Sequence, residues 1–283
     1  MVAADHGRSI RLLAVDIDGT LVTDGDVVSP ATRAALQLAA DRFALVLATG
    51  RRYRTTRQVM SALDLPLPAV CLGGALTKSA AGRTLHATPF SAEDIAGVLD
   101  LAHRRDLALV LQRDAHALGG ADFVVDAGLP WNRATRHYVD VGGAAGRADP
   151  DIGGARYEDI LVVGCFGERG PLAALEDDIA RLPGAYETVL VPSQKTPGWY
   201  LEVIRAGVSK WAALRRYAGV VGIPEEAICA VGDALNDLPM IRGAGFGVAM
   251  GNAHPAVKEA AAWTTGRNDE DGLVTLIDRL MAD

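Results

Sequence analysis

The feature that most constrains this chain is the alternation of short apolar runs with amphipathic stretches of helical spacing. Apolar runs of this length are typical of buried parallel strands. The runs lie at Leu12–Val15, Ala44–Ala48, Ala69–Leu72, Ala227–Val231 and Gly245–Met250. Helices are predicted from Ser29-Pro30 onward and at Thr55–Leu63, Lys210–Ala218, Ala253–Ala262 and Leu273–Met281. The alternation predicts an α/β fold, a doubly wound parallel sheet with helices on both faces.

The middle of the chain has a different pattern. Its predicted elements are a helix at Ser91–Arg104, strands at Leu107–Leu111 and Ile160–Cys165, a glycine-rich loop at Gly142–Gly154 and a helix at Pro171–Leu182. Because strand-like runs that complete the sheet occur on both sides of this region, we interpret it as an α+β domain inserted into the core fold. The predicted division is a core of residues 1–87 and 197–283 around an inserted domain of residues 88–196.

Composition narrows the choice of partners. The formal net charge is −7, and the sequence has no block of lysine or arginine, which argues against nucleic-acid and anionic membrane surfaces. The three cysteines stand singly without C-x-x-C spacing, as in a reduced compartment. The apolar run Ile10–Val15 is too short for a signal peptide or a membrane span. We therefore expect a cytoplasmic protein, with no prediction about its oligomeric state.

Two aspartates directly follow the first predicted strand. Asp16 and Asp18 are separated by one residue and followed by Gly19, which frees the backbone to approach an anion. Open α/β sheets bind their ligands at the carboxyl ends of strands. Two neighbouring carboxylates drive their pKa values apart, which suits one as a nucleophile and the other as a general acid and base. A solvated acidic turn would give the same tripeptide.

A second acidic group follows the predicted strand at Ala227–Val231. Asp233 and Asp237 occur in the segment Gly-Asp-Ala-Leu-Asn-Asp, which alone could be an ordinary turn leading into a helix. Together with Asp16 and Asp18 it would place four carboxylates at one edge of the sheet. Four such carboxylates repel one another and any phosphate, so the group is expected chiefly around a hard divalent cation. Oxygen ligands without nearby histidine or cysteine predict magnesium, Mg²⁺.

Two further residues could contact an anion. Thr49 ends the second predicted strand in Ala-Thr-Gly-Arg, where a hydroxyl and the backbone amides around Gly50 and Arg51 precede a helix. A helix cap explains this threonine equally well. Lys210 begins the helix that precedes Asp233, although most lysines are solvated surface residues.

In their order and spacing, these motifs resemble the haloacid dehalogenase superfamily, and most closely its Cof-type phosphatases of subclass IIB. The motifs are DIDGTL, ATGR, GVSK and GDALNDLPM, and the segments AMGNAHP and NDEDG look like the same group. Two departures are Gly73-Gly74, where relatives often have Asn-Gly, and Arg205-Ala206-Gly207, where Pro-Lys-Gly is common. The departures affect expected substrate contacts and leave the predicted chemistry unchanged.

The resemblance implies a role for each motif residue. Asp16 would attack phosphorus, and Asp18 would protonate the leaving oxygen and then deprotonate the water that cleaves the aspartyl-phosphate. Nearby carboxylates are predicted to raise the pKa of Asp18. The metal would be held by Asp16, the backbone carbonyl of Asp18 and Asp233, with support from Asp237. Residues implied to contact the phosphoryl group or substrate in the core are Thr49, Lys210, Gly19, Gly50, Arg51 and Asn236.

The resemblance also implies that the insertion is a mobile cap that reads the leaving group. Its polar candidates are Arg113, His116, Trp131, Asn132, Arg133, Arg136, His137 and Lys195. Hydrogen-bond donors are densest between residues 131 and 137, so we expect substrate contact there, from Arg133, Arg136 and His137 in particular.

The resulting prediction is a magnesium-dependent phosphatase that acts on a small phosphorylated metabolite, such as a sugar phosphate or a vitamin- or nucleotide-type monoester. A phosphosugar mutase with the same fold is an alternative, and a catalytically inactive binding module is another. Dehalogenase chemistry fits less well because it needs neither a metal nor a second aspartate at position 18. An ion pump is excluded by the lack of any apolar run long enough to span a membrane.

Overall fold

A computed structural model describes residues 9–23, 25–118, 120–152, 159–193 and 198–282. The strands are β1 Leu12–Val15, β2 Ala44–Ala48, β3 Ala69–Cys71, β4 Leu76–Lys78, β5 Thr84–Ala87, β6 Leu109–Arg113, β7 Phe123–Asp126, β8 Gly146–Asp149, β9 Ile160–Gly167, β10 Tyr186–Pro192, β11 Trp199–Arg205, β12 Ile228–Gly232, β13 Phe246–Ala249 and β14 Trp263–Thr264. The α-helices are α1 Pro30–Ala39, α2 Tyr53–Leu63, α3 Ala92–His103, α4 Ala115–Leu118, α5 Arg133–Gly142, α6 Arg169–Ile179, α7 Lys210–Val220, α8 Leu238–Gly243, α9 Pro255–Ala260 and α10 Gly272–Ala282.

The chain divides into two compact units. The core unit comprises the residues up to His86 and from Ser209 onward, and the inserted unit comprises Ala87–Val208. The first boundary, between residues 86 and 87, lies one residue before the predicted position. The second lies between residues 208 and 209 and was predicted between residues 196 and 197. Residues 199–205 form β11, which pairs with β9 and β10 inside the inserted unit. These hydrogen bonds keep the chain in that unit until Val208.

The core unit contains an eight-stranded sheet in the order β14-β13-β12-β1-β2-β3-β4-β5. The strands from β14 to β3 pair in parallel, and β4 turns back antiparallel to β3. All four residues of β1 are buried, as expected for a central strand with helices on both faces. The chain runs outward from β1 to β3 on one side and from β12 to β14 on the other. This change of direction beside β1 confirms the predicted doubly wound fold.

The inserted unit contains a six-stranded, mostly antiparallel sheet in the order β10-β11-β9-β6-β7-β8. Alternate residues of a strand face opposite sides of a sheet. Leu109 and Leu111 of β6 accordingly pack in one cluster with α3 and α6, whereas Val110 packs in another with Ala134 of α5. The unit therefore has a core on each face of its sheet, which agrees with the predicted α+β architecture.

Most predicted elements have the expected type, and their ends follow local chemistry. Ser29 caps α1, with Pro30 as its first residue, and Ser91 forms a capping box with Asp94 at the start of α3. The predicted loop at 142–154 is partly wrong because it contains β8, and its residues 153–154 lie outside the described ranges. The cysteines are buried free thiols.

Candidate active site

Three neighbouring parallel strands bring the predicted polar residues to one edge of the core sheet. In the register of the sheet, Val15 at the end of β1 pairs with Val231 of β12 and with Leu47 of β2. Asp16 therefore begins the segment after β1, Thr49 directly follows β2, and Asp233 and Asp237 follow β12. Because parallel strands end at the same edge, residues far apart in the sequence become neighbours there.

Lys210 lies at the centre of this group. Its Nζ donates to Oδ1 of Asp16 at 2.7 Å and to Oδ1 of Asp237 at 2.6 Å, and its side chain is 2% exposed. Burial alone would lower the pKa of Lys210, but the two carboxylates raise it above its usual value, so the ammonium stays charged. A surface lysine is therefore excluded for this position.

Gly74 explains how the start of α7 comes so close to β3 and β4. A side chain at this position would overlap the backbone carbonyl of Ser209, the residue that caps α7. The glycine also has a φ of 114°, which other residues rarely adopt. The second glycine of the pair Gly73-Gly74 is therefore required for the close approach that positions Lys210.

The carboxylates of this group outnumber the single lysine cation. Burial, followed by the charge of Asp237, raises the pKa of Asp16 well above its ordinary value, although Lys210 acts in the opposite direction. Burial and Asp237 likewise raise the pKa of Asp233 to about 6. Oxygen atoms of these three aspartates lie within 4.8 Å of one another. An all-oxygen set with surplus negative charge fits a hard divalent cation such as magnesium.

Asp237 also organises the loop after β12. Its Oδ2 accepts hydrogen bonds from the backbone amides of Asp233 and Ala234 at 3.0 and 2.9 Å, while its Oδ1 accepts from Lys210. The side chain is completely buried. Asp237 therefore supports Asp233 and Lys210 through direct hydrogen bonds, and its support of a metal ion stays a prediction. Asn236 lies in the exposed turn between the two aspartates.

The backbone after Asp16 approaches Asp233 closely. Gly19 has a φ of 76°, and a Cβ atom at this position would overlap the Asp233 carboxylate. Thr20, which sequence reasoning did not assign, extends this contact through a 3.4 Å hydrogen bond from its hydroxyl to Oδ1 of Asp233. The turn after β1 and the loop after β12 are therefore packed directly against each other.

Arg51 lies between two acidic side chains. Its Nε and Nη2 donate to the two carboxylate oxygens of Asp18 at 2.9 and 2.6 Å, and Nη2 also contacts Asp26. Burial opposes the charge of Arg51, but its bonds to both aspartates outweigh this effect and raise its pKa. A bidentate guanidinium favours an ionised carboxylate. The contact with Arg51 therefore favours the ionised form of Asp18. The predicted acid step needs the protonated form, which stays a prediction.

Thr49 is completely buried. Its Oγ1 accepts a hydrogen bond from the backbone amide of Arg51 at 3.1 Å, whereas the residue that caps α2 is Arg52. A simple helix cap is therefore the wrong interpretation of Thr49. Gly50 is exposed, and a Cβ atom there would meet nothing within 4 Å. This leaves room beside Thr49 for a bound group.

Two asparagines near the chain end were not assigned a role from the sequence. Asn252 donates to the backbone carbonyl of Gly19 at 2.7 Å, and Asn268 donates to that of Val22 at 2.9 Å. Both therefore contact the turn that carries Asp18. Asn252 follows β13 at the same edge of the sheet, so the rule that located Thr49 could also have located Asn252.

Several polar candidates of the inserted unit serve its own structure. Arg113 pairs with Asp159, Trp131 donates its indole N–H to the backbone carbonyl of Asp126, and Asn132 caps α5 while donating to the carbonyl of Phe166. These side chains are therefore engaged in contacts within the inserted unit. His116 lies in the short helix α4, and Lys195 lies outside the described residues.

The other predicted residues of the inserted unit are available to a ligand. Arg133, Arg136 and His137 are exposed on the first turns of α5 and line a groove of about 420 Å³ together with Trp131 and Asp140. Their spacing of three and four residues places them on one face of the helix. The structure thus brings these three residues together.

Across the described parts of the chain, no helix has the length and apolar character needed to cross a membrane.

Comparisons with known proteins identify relatives along almost the whole chain. The 5-amino-6-(5-phospho-D-ribitylamino)uracil phosphatase YitU of Bacillus subtilis (strain 168) is 29% identical over 94% of this chain and 96% of its own. The pyridoxal phosphate phosphatase YbhA of Escherichia coli (strain K12) is 27% identical over 94% of this chain and 97% of its own. The relatives are named phosphatases, which confirms the prediction of a phosphoric monoester hydrolase.

Fold comparison gives the same assignment. A crystal structure of a haloacid dehalogenase-like hydrolase from Bacteroides thetaiotaomicron superposes with a TM-score of 0.82 at 25% identity, covering 96% of this chain and all of the other. A family model described as haloacid dehalogenase-like hydrolase matches residues 13–277. The match includes every motif of the site, and the chain therefore belongs to the haloacid dehalogenase-like hydrolases.

Proposed function

We propose that this chain is a magnesium-dependent phosphatase that transfers the phosphoryl group of a small metabolite to Asp16 and then to water. The observation that carries the proposal is the buried pair of Asp16 and Lys210, joined by a 2.7 Å hydrogen bond at the sheet edge. A carboxylate held beside a fixed cation is suited to attack an anionic phosphate, because the cation offsets the repulsion between them.

In the first step, a carboxylate oxygen of Asp16 forms a bond to phosphorus while the ester P–O bond breaks. Lys210 and the hydroxyl of Thr49 donate to the phosphoryl oxygens, and Asp18 gives its proton to the departing oxygen. Gly50 and Asn236 border the same edge and offer further donors. The substrate alcohol leaves, and Asp16 carries the phosphoryl group.

In the second step, Asp18 accepts a proton from a water molecule whose oxygen attacks the phosphorus. The bond between phosphorus and Asp16 breaks, which releases inorganic phosphate and restores the carboxylate. The bidentate contact with Arg51 suits the ionised Asp18 of this step. We expect Asp18 to turn away from Arg51 when it acts as the acid.

Magnesium would be held by Asp16, Asp233 and the backbone carbonyl of Asp18, with Asp237 keeping the loop in place. When bound, it neutralises negative charge on the phosphoryl group and the aspartates. The raised pKa values of Asp16 and Asp233 support this assignment, because a cation would favour their ionised forms.

Two features support a small phosphorylated substrate. The relatives described above are named for a phosphorylated ribityl compound and for pyridoxal phosphate, so we propose a vitamin-type or sugar phosphate monoester. Arg133, Arg136 and His137 on one face of α5 would recognise polar or anionic parts of the leaving group.

Replacing Arg133 and Arg136 with alanine should raise KM more than it lowers kcat. Replacing the exposed Arg104 of the same unit with alanine is the control and should leave both KM and kcat unchanged.

Phosphate release tests the core of the proposal. Wild type, Asp16→Asn and Asp64→Asn are compared on a panel of phosphorylated metabolites with magnesium or with a chelator. Asp64 is a matched control because it is exposed and has a φ of 56°, which asparagine tolerates. We expect metal-dependent release by wild type and Asp64→Asn, and none by Asp16→Asn. An isomeric ester without free phosphate would indicate a mutase, and no turnover of any ester would indicate a binding module.

A further inference from the structure

One short segment near the chain end touches both acidic loops of the site. The segment Gly251–His254 follows β13, and the side-chain amide of Asn252 donates to the carbonyl of Gly19 at 2.7 Å. Two residues later, the backbone amide of His254 donates to the carbonyl of Asp233 at 2.8 Å. The segment therefore joins the turn that carries Asp18 to the loop that carries Asp233.

A second asparagine fixes the first. The backbone amide of Asn268 donates to Oδ1 of Asn252 at 3.0 Å, which orients the Asn252 amide group towards Gly19. The side chain of Asn268 donates to the carbonyl of Val22 at 2.9 Å. The two asparagines thus hold both ends of the turn Gly19–Val22.

The turn is internally compact, so a displacement of the turn as a whole moves Asp18 with it. The backbone amides of Leu21 and Val22 both donate to the carbonyl of Ile17, at 2.9 and 3.0 Å, so the turn is compact. The backbone of Gly19 packs so closely against the Asp233 carboxylate that a Cβ atom would overlap it. The Asp18 side chain is 48% exposed, so its position depends on its backbone and on hydrogen bonds such as those from Arg51 more than on close packing.

We infer that Asn252 and Asn268 are positioning residues for proton transfer by Asp18. They act through the turn Gly19–Val22, which they hold in the place where the Asp18 carboxyl group can reach the departing oxygen. This inference rests on the proposed role of Asp18. General acid catalysis depends on such placement, because a shift of about 1 Å can cost a large factor in rate.

The leaving group of the substrate provides a selective readout. An alkyl phosphate releases a strongly basic oxygen that needs a proton as it departs, whereas p-nitrophenyl phosphate releases a stabilised phenolate that does not. The value of kcat/KM covers all steps up to phosphoryl transfer. Misplacement of Asp18 should therefore lower kcat/KM for the alkyl ester selectively, whereas a general loss of folded enzyme lowers both values equally.

The experiment compares Asn252→Ala and Asn268→Ala with Gln37→Ala. Gln37 is a matched control because its side-chain amide also donates to a backbone carbonyl, that of Leu63 at 2.9 Å, between α1 and the end of α2. We expect Asn252→Ala to lower kcat/KM about tenfold more for the alkyl ester than for the nitrophenyl ester. Asn268→Ala should give a smaller selective loss, since its backbone bond to Asn252 stays. Gln37→Ala should leave the ratio unchanged.

Equal losses for the two esters, or no loss, in folded Asn252→Ala would overturn the inference. Thermal unfolding shows which variants are folded. If Asn252→Ala does not fold, the ratio of kcat/KM values for the two esters in Asn268→Ala tests the inference instead. Asp16→Asn and Asp18→Asn are measured alongside. If Asp16→Asn keeps its activity, or if Asp18→Asn does not discriminate between the esters, the proposed function is at fault and the inference falls with it. If both behave as proposed while the asparagine variants lose no selectivity, the inference alone is wrong.

Discussion

Replacement of Lys210 by methionine tests the electrostatics of the site most directly. Methionine has a similar length and no charge, so it leaves Asp16 and Asp237 buried without the ammonium that now bonds to both. The three side chains are 2%, 4% and 0% exposed, so water cannot replace the missing cation. Removing one partner from such a buried group costs about 3–5 kcal/mol. We expect this loss in the free energy of unfolding at about pH 7 without metal.

The loss should depend on pH in a defined direction. Burial already raises the pKa of Asp16 in the folded protein, and loss of the Lys210 ammonium raises it further above its unfolded value. The folded variant then binds more protons than the unfolded chain, so its stability increases as the pH falls towards about 5. The difference between variant and wild type should therefore shrink on acidification.

Urea unfolding at both pH values measures these differences. Lys258→Met is the control, because Lys258 is an exposed lysine in α9 of the same unit and its replacement should change stability by less than about 0.5 kcal/mol. A loss below about 1 kcal/mol for Lys210→Met at pH 7 would refute the reasoning, since it would mean that the buried carboxylates do not need this cation. Phosphatase activity of the folded variant should be abolished.

Three further predictions concern other features. Gly19→Ala should destabilise the protein by at least about 1 kcal/mol in urea unfolding and reduce activity, because its φ of 76° and contact with Asp233 leave no room for a Cβ atom; wild-type behaviour would refute this. Because protons compete with the cation for Asp233, whose pKa is about 6, the magnesium concentration for half-maximal activity should rise as the pH falls below about 6; a pH-independent value would exclude Asp233 as a ligand. Ser91→Ala should cost about 1 kcal/mol in urea unfolding of the inserted unit, because it removes the hydrogen bond to the Asp94 amide; an unchanged unfolding midpoint would show that the cap contributes nothing.

The central strands and their helices could be predicted because local sequence determines them. β1 and β2 have the predicted bounds, since a strand buried on both faces must be apolar along its whole length. In β10, half-buried and exposed positions alternate along most of the strand, which gives no continuous apolar run, and the strand is completed by its pairing with β11. The second domain boundary lies later than predicted because β11 belongs to the inserted unit through its pairing with β9 and β10, which the residues of β11 alone do not indicate.

The sequence by itself determined the fold class and the family and supplied the candidate residues for the chemistry, because each motif is a contiguous stretch next to a predicted strand or helix. Only the tertiary structure decided how the side chains of different motifs interact. It placed Lys210 between Asp16 and Asp237 and assigned Arg51 to Asp18. It also brought Asn252 to the turn after β1. Some of these contacts join residues more than two hundred positions apart, because the register of the parallel sheet and the close approach of α7 at Gly74 make them neighbours.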